Sequence, residues 1–272
     1  MKKRMFFTTI LVLMFLGSAS FVLAGNIVIK GSTTVLPIAQ KVAEAYMKEN
    51  PEISISLSGG GSGNGIKAII DGTTDIADSS RFIKGKEITL AVEKAVYPVP
   101  FRVAYDCIVP VVHPSNPMKD ISMDQLKALY NGEVKNWKDI GGPDKKLVVI
   151  SRDTSSGTYE VWHKKVMKKE KVFPGALLQA SNGAVAQAVA KNKYAIGYIG
   201  VGYLNKDVKA LSVNGVVGSK ETTLDGTFPI SRPLFMFTQD WPTGDTVKFI
   251  NYVLHPQKGQ KLVRESGYVP LY

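Results

Sequence analysis

Val99-Pro100-Phe101-Arg102-Val103-Ala104-Tyr105-Asp106-Cys107-Ile108-Val109-Pro110-Val111-Val112 is a long, apolar, β-rich run near the middle of the chain. It reads as a segment that crosses from one lobe to another. A second extended apolar stretch over 229–238 reads as the return crossing. Between and around them, short β-rich runs alternate with helix-like segments, the pattern of an α/β protein. Before the first crossing, strands are expected at 26–30, 53–57 and 75–78, with helices at 35–50 and 64–71. Pro37 stands in the first helical turn, and Ile66, Ile69 and Ile70 make the second helix amphipathic. Between the crossings, helices are expected at 123–130, 158–169 and 184–191 and strands at 147–150 and 195–199. Helices at 246–253 and 256–266 close the chain. The expected organisation is a signal peptide over 1–24, a first lobe over 25–104, a second lobe over 105–230 and a return to the first over 231–272. No repeat, low-complexity linker or charged tail marks these boundaries, which follow from the paired long runs alone.

Four places put Ser, Thr or Gly just after a strand and near the start of the next segment. They are Gly31-Ser32-Thr33-Thr34, Gly59-Gly60-Gly61-Ser62-Gly63, Ser79-Ser80-Arg81 and Ser155-Ser156-Gly157-Thr158. A helix start leaves backbone N–H groups without intrahelical partners and carries partial positive charge, so hydroxyls and glycines there form a cradle for an anion. Any single such turn is equally a helix cap. The recurrence is what points to a ligand, because in open α/β sheets these turns gather at the strand ends where ligands bind. Arg152 opens the segment that leads to Ser155, and its planar fork suits two parallel hydrogen bonds to an oxyanion. Arg81 offers the same chemistry. The competing reading for each is an ordinary salt bridge, with Asp153 an obvious partner for Arg152.

Lys2, Lys3 and Arg4 precede an apolar run over 5–16 and small residues ending at Ala24. That is the pattern of a cleaved secretory signal, and the run is shorter than the roughly 20 residues a membrane-spanning helix needs. No cysteine follows the run to accept a lipid, so an exported, periplasmic and unanchored product is expected. Its removal lowers the formal charge from +11 to +8. The lysines are scattered, without an aromatic-interleaved basic stripe, which argues against nucleic acid. Cys107 is the one cysteine; it lies in the apolar run and reads as core. No catalytic residue and no metal site is expected. His113, His163 and His255 sit in unrelated contexts, Gly61-Ser62-Gly63 lacks the spacing of a nucleophile elbow, and no ligand-spaced cluster is present. Nucleotide binding through the glycine run lacks a following Gly-Lys-Ser or Gly-Lys-Thr. Trp137, Trp162 and Trp241 read as core or rim packing.

With Gly31-Ser32-Thr33-Thr34, Gly60-Gly61-Ser62-Gly63, Asp75-Ile76-Ala77-Asp78-Ser79-Ser80-Arg81 and 152–158 in this order, the chain resembles the phosphate-binding proteins of ATP-driven phosphate importers. The resemblance covers essentially the whole chain after the signal. It implies a type II periplasmic-binding fold, two α/β lobes joined by crossing strands that close on a dehydrated phosphate held by hydrogen bonds. It further implies a monomer that needs no cofactor, with inorganic phosphate and the membrane permease of an ABC importer as partners. Residue by residue, it implies a hydroxyl from Thr33, a backbone N–H from Thr34, the Ser62 hydroxyl, bidentate Arg152, and Ser156, Gly157 and Thr158 at a helix start. Ser32, Gly63, Ser80, Arg81 and Ser155 complete the expected site. Well-known members end the third motif with an aspartate that accepts the proton of hydrogen phosphate, and Ser80 stands in that place here. Discrimination against sulfate or molybdate then falls to another acceptor, with Asp78 and Asp153 the two candidates. A serine-dependent phosphate-ester hydrolase is the remaining alternative.

Overall fold

The computed structural model describes residues 25–272, so the signal-peptide reading of 1–24 lies outside the described residues. The first lobe opens with β1 (Gly25–Gly31), α1 (Leu36–Glu49), β2 (Ile53–Ser58), α2 (Ser62–Ile70), β3 (Ile76–Ser79) and α3 (Gly85–Glu93). Strand β1 lies parallel between β2 and β3, with Ile29 opposite both Leu57 and Ile76. Strand β3 is buried along its whole length. Ile76 joins the core beneath α1, whereas Ala77 joins the core beneath α2, as the period-2 alternation of a strand covered on both faces requires.

Next comes β4 (Val99–Val112), the 14-residue crossing strand. Its first part pairs antiparallel with β11 (Ser231–Thr238), from Val99–Thr238 to Cys107–Ser231. From Ile108 onward it pairs with β8 (Ala195–Gly200). The change of partner falls between Cys107 and Ile108. The second lobe carries β5 (Asp120–Ile121), α4 (Met123–Asn131), β6 (Val148–Arg152), α5 (Gly157–Lys165), β7 (Leu177–Gln179) and α6 (Asn182–Ala190). After β8 come β9 (Lys209–Ala210), β10 (Ser212–Val213) and α7 (Lys220–Leu224). The chain ends with α8 (Gly244–Leu254) and α9 (Gly259–Glu265), packed on each other and on α1. The strand order β2-β1-β3-β11-β4-β8-β6-β7 runs through both lobes because β4 belongs to both.

Among the elements that differ from the sequence-based expectation, three show the physical reason. Helix α5 stops at Lys165, not at 169, because the chain turns to bury Val166 and Met167; Lys168 and Lys169 then take left-handed backbone angles, φ 51° and 72°. Helix α2 begins at Ser62, two residues early, since Gly61 at φ 100° turns directly into it. Helix α3 escaped notice because its apolar residues do not form a buried stripe. Ala91 is buried, while Ile88, Leu90 and Val92 face solvent.

Each lobe has its own core. In the second, Trp162 stacks on Tyr198 with ring centroids 4.2 Å apart and 9° between planes, and Tyr130 packs against both. Trp137 is also fully buried, but Trp241 is a surface residue leaning on Phe101. Truncating a buried tryptophan costs about 3–5 kcal/mol, through lost transfer energy and the cavity left behind. We therefore expect Trp162→Ala to lower the unfolding free energy by about 3–5 kcal/mol and Trp241→Ala by less than about 1 kcal/mol, read from urea denaturation monitored by circular dichroism.

Candidate anion-binding site

The serine- and threonine-rich turns meet where the two lobes face each other. Just ahead of α1, the Ser32 hydroxyl accepts from the N–H of Thr34 at 3.1 Å and of Val35 at 3.4 Å, which orders the turn leading into the helix. The N–H of Thr34, expected to face a ligand, is occupied by Ser32. The Ser32 N–H itself donates to the carbonyl of Asp78, which ties the loop to β3. At the start of α2, the Ser62 hydroxyl accepts from the N–H of Ser80 at 3.0 Å and lies 3.3 Å from the Ser80 hydroxyl. At the start of α5, Ser156 caps the helix by accepting from Tyr159 N–H. Gly157 is pressed so closely on Ser62 and Ser80 that a methyl group there would collide with both hydroxyls. That contact crosses between the lobes, and glycine is the residue that permits it.

Further cross-lobe bonds surround it. The hydroxyls of Thr34 and Thr158 are 3.0 Å apart, the N–H of Gly63 donates to the Ser155 carbonyl, and the Ser155 hydroxyl lies 3.1 Å from the Gly60 carbonyl. Asn182, at the start of α6, donates through its amide to the hydroxyls of Thr33 and Thr34. Its carbonyl accepts from Gly200 N–H. Ser32, Thr33, Thr34, Ser62, Ser80, Ser156 and Thr158 are all buried. A buried cluster of hydroxyls and helix N-termini between the lobes suits a small anion whose charge is met by hydrogen-bond donors.

Arg152 is 1% exposed. Its Nε and one terminal nitrogen donate to the carbonyls of Gln179 and Ala180 at 2.9 and 3.0 Å. The other terminal nitrogen, Nη1, is buried with no partner among the described residues. Asp153 lies 3.9 Å away and is partly exposed, and its carboxylate also accepts from the N–H and hydroxyl of Ser155. Burial lowers the Arg152 pKa from its ordinary value. An arginine nevertheless stays charged in proteins. Two edges of its fork are spent on backbone, so it has a narrower reach than free bidentate geometry.

Arg81 departs from the sequence expectation. Both of its terminal nitrogens bond the Glu87 carboxylate at 2.7 and 2.8 Å, and its Nε lies 2.9 Å from Glu160. Two carboxylates hold this guanidinium, as the competing salt-bridge reading described.

The sequence reading missed Arg232, on the return strand. Its Nε and Nη2 bond one oxygen of Asp106 at 2.9 and 2.7 Å, and Nη2 also reaches the hydroxyls of Thr34 and Thr158 at 3.2 and 3.1 Å. Both partners are buried. A lone arginine in one apolar crossing run and a lone aspartate in the other were the available signal: buried charges are found paired. Burial raises the Asp106 pKa, and Arg232 and the N–H of Val201 oppose that rise. Asn182 and Tyr203, whose hydroxyl donates to the Thr33 carbonyl, carried no comparable signal.

Nucleophilic chemistry finds no support among the described residues. None of the three histidines bonds a serine of the site; His113 bonds Ser115, His163 stacks on Tyr159, and His255 caps a turn at Gln257. Cys107 is buried, and that burial pushes its thiol up to about 12, away from the reactive thiolate form. No His, Cys, Asp and Glu cluster able to hold a metal occurs among the described residues, and no described helix is long and apolar enough to cross a membrane.

A family model described as the PBP superfamily domain matches residues 19–257. The chain is 33% identical over 249 residues to the phosphate-binding protein PstS of Bacillus subtilis, covering 91% of this chain and 81% of that one. It is 36% identical over 267 residues to the PstS of Staphylococcus aureus, covering 93% and 80%. Among solved structures, a candidate phosphate ABC transporter substrate-binding protein with bound phosphate from Clostridium perfringens superposes with a TM-score of 0.85. That pair shares 32% identity over 91% of this chain and 100% of the other. An ABC-type phosphate transport receptor from Vibrio cholerae gives a TM-score of 0.72 at 31% identity, over 89% and 99%.

Asp78 is a buried carboxyl with one oxygen unpartnered, and its pKa is raised well above the ordinary value by burial alone. A carboxyl with a raised folded-state pKa contributes its stability below the unfolded value of about 3.9 and loses it as pH rises toward the folded value. Asp78→Asn removes that loss. We expect the variant to melt above the parent at pH 7.5 and the gain to vanish below about pH 4, in thermal scans across pH.

Proposed function

The chain belongs to the PBP superfamily, and from that premise we propose that it is an exported solute-binding protein that captures inorganic phosphate between its lobes and delivers it to the permease of an ABC importer. The observation that carries this reading is Arg152 Nη1, a buried cationic donor with no partner among the described residues, at the end of the strand that leads into the hydroxyl-bearing start of α5. A small polyanion supplies what that arrangement lacks, because its oxygens accept from the guanidinium, the hydroxyls and the helix N-termini together. The hydroxyls of Thr33, Thr34, Ser62, Ser80 and Thr158 and the turn formed by Ser155, Ser156 and Gly157 are the proposed ligand-facing set. Ser32 and Gly63 shape the loops beneath it, and Arg81 acts outside it. The protein works as an unanchored monomer in the periplasmic or extracellular space, with lobe boundaries near 104 and 230, close to where β4 leaves β11 for β8 after Cys107.

Arg152→Ala deletes a charge-assisted bond worth about 1.5–3 kcal/mol and the main uncompensated positive charge, while orphaning two carbonyls. Phosphate affinity should fall about a hundredfold by calorimetric titration, since 1.4 kcal/mol is a factor of ten. Ser62→Ala, which removes one neutral donor, should cost about tenfold or less. Arg152→Lys should recover only part of the loss, because an ammonium cannot serve the two carbonyls and the ligand with one planar fork. Parent-like affinity in Arg152→Ala would overturn the placement of the ligand.

Selectivity has its own test. Ser80 can donate as well as accept, so exclusion of sulfate depends on an acceptor elsewhere. A ligand of the folded state at 100 times its Kd stabilises by about 2.7 kcal/mol. Millimolar phosphate should therefore raise the Tm by several degrees and sulfate by much less. Equal protection by the two anions would leave an oxyanion binder without phosphate selectivity.

A further inference from the structure

Arg81 and its neighbours form a charged cluster that anion binding does not absorb. Glu87, in the first turn of α3, holds Arg81 through both terminal nitrogens and accepts from the N–H of Lys84 at 2.9 Å. These contacts lie wholly within the first lobe and preset the guanidinium whatever the position of the second. The remaining edge of Arg81 meets Glu160, whose other oxygen lies 2.7 Å from the Lys84 ammonium. Glu160 belongs to the first turn of α5, the helix whose start carries Ser156, Gly157 and Thr158. One carboxylate of the second lobe thus bridges two cations of the first. Side-chain exposure is 6% for Arg81 and 17% for Glu160, so solvent screens the contact less than a surface pair.

The cluster also has a position that matters. It forms part of the wall of a cavity of about 740 Å³ that Thr154 and Arg232 also line. Lys164, Lys165 and Lys169 line the same cavity, and none of them pairs with a carboxylate among the described residues. A lysine-lined cavity attracts anions, and Arg232, which also lines it, bonds the hydroxyls of Thr34 and Thr158.

We propose that Glu160 is a clasp residue: by pairing with Arg81 and Lys84 when the lobes close, it shuts the anion chamber toward the lysine-lined cavity and sets how long bound phosphate stays. The pairing has a second effect. An unpaired Glu160 carboxylate one turn from the anion-binding helix start repels a dianion, and closure neutralises it with two cations of the opposite lobe. Closure and anion retention are thereby coupled through contacts that never touch the anion. The proposal rests on the phosphate reading above.

Stopped-flow measurement of phosphate association and release tests it, using the parent, Glu160→Gln, Lys84→Met and the double variant. Glu160→Gln should release phosphate about tenfold faster, with association changed by less than about threefold, because the lost contacts form only in the closed state. Lys84→Met should act in the same direction more weakly. The double variant should be no faster than Glu160→Gln alone, since both substitutions remove one interaction. Raising salt from about 0.05 to 1 M should speed release from the parent but not from Glu160→Gln, a response a general loss of stability would not give. Release from Glu160→Gln at the parental rate overturns the clasp. If Glu160→Gln fails to fold, parental release from Lys84→Met overturns it equally. A parent that binds no phosphate overturns the functional reading and the clasp together, whereas a binding parent with unaffected variants overturns the clasp alone.

Discussion

The ion pair between Asp106 and Arg232 sits where the two crossing strands separate, and both the lobes and the chamber between them are organised around it. Asp106 comes from β4 and Arg232 from β11, one residue pair before β4 leaves β11 for β8. Asp106 also accepts from Val201 N–H in the second lobe, and Arg232 reaches Ser80, Thr34 and Thr158. Each charge is buried, so neither is tolerable without the other. Removing one member of such a pair typically costs about 3–5 kcal/mol, because an uncompensated charge remains. The hydrogen bonds that satisfy the leftover donors of Arg232 go to both lobes, which makes the pair a fixed reference for their closed arrangement.

The two buried arginines near the chamber have different electrostatic roles. Arg232 is neutralised by Asp106 and serves as scaffolding, whereas Arg152 has Asp153 only at 3.9 Å and keeps one terminal nitrogen free. The surroundings of Arg152 therefore carry a weakly balanced positive charge held in place by backbone carbonyls. Hydroxyls and helix starts supply the remaining donors without adding formal charge. Arg81 is a third case, with its charge divided between Glu87 in its own lobe and Glu160 in the other. Three arginines within a small region thus do three kinds of work, decided by which carboxylates face them.

Read alone, the sequence determined the α/β class, the two crossings and the clustering of hydroxyl-bearing turns, because those depend on local patterns: β-rich runs, helical periodicity, and small residues at strand ends. It also placed Cys107 in the core, but left Trp137, Trp162 and Trp241 open between core and rim. The partner of each arginine was a tertiary decision. Glu87 lies close to Arg81 in sequence, but Glu160 and Asp106 are far from the residues they pair with, and no spacing rule links them. Whether a guanidinium is free, shared or neutralised depends on which side chains the closed lobes bring within about 3 Å. The end of α5 and the exposure of α3 were likewise set by packing, since burial of Val166 and Met167 outweighed helical continuation and the apolar residues of α3 found no core to cover. Local chemistry names the donors of this site; the meeting of two lobes around Asp106 and Arg232 decides which of them remain available to a ligand.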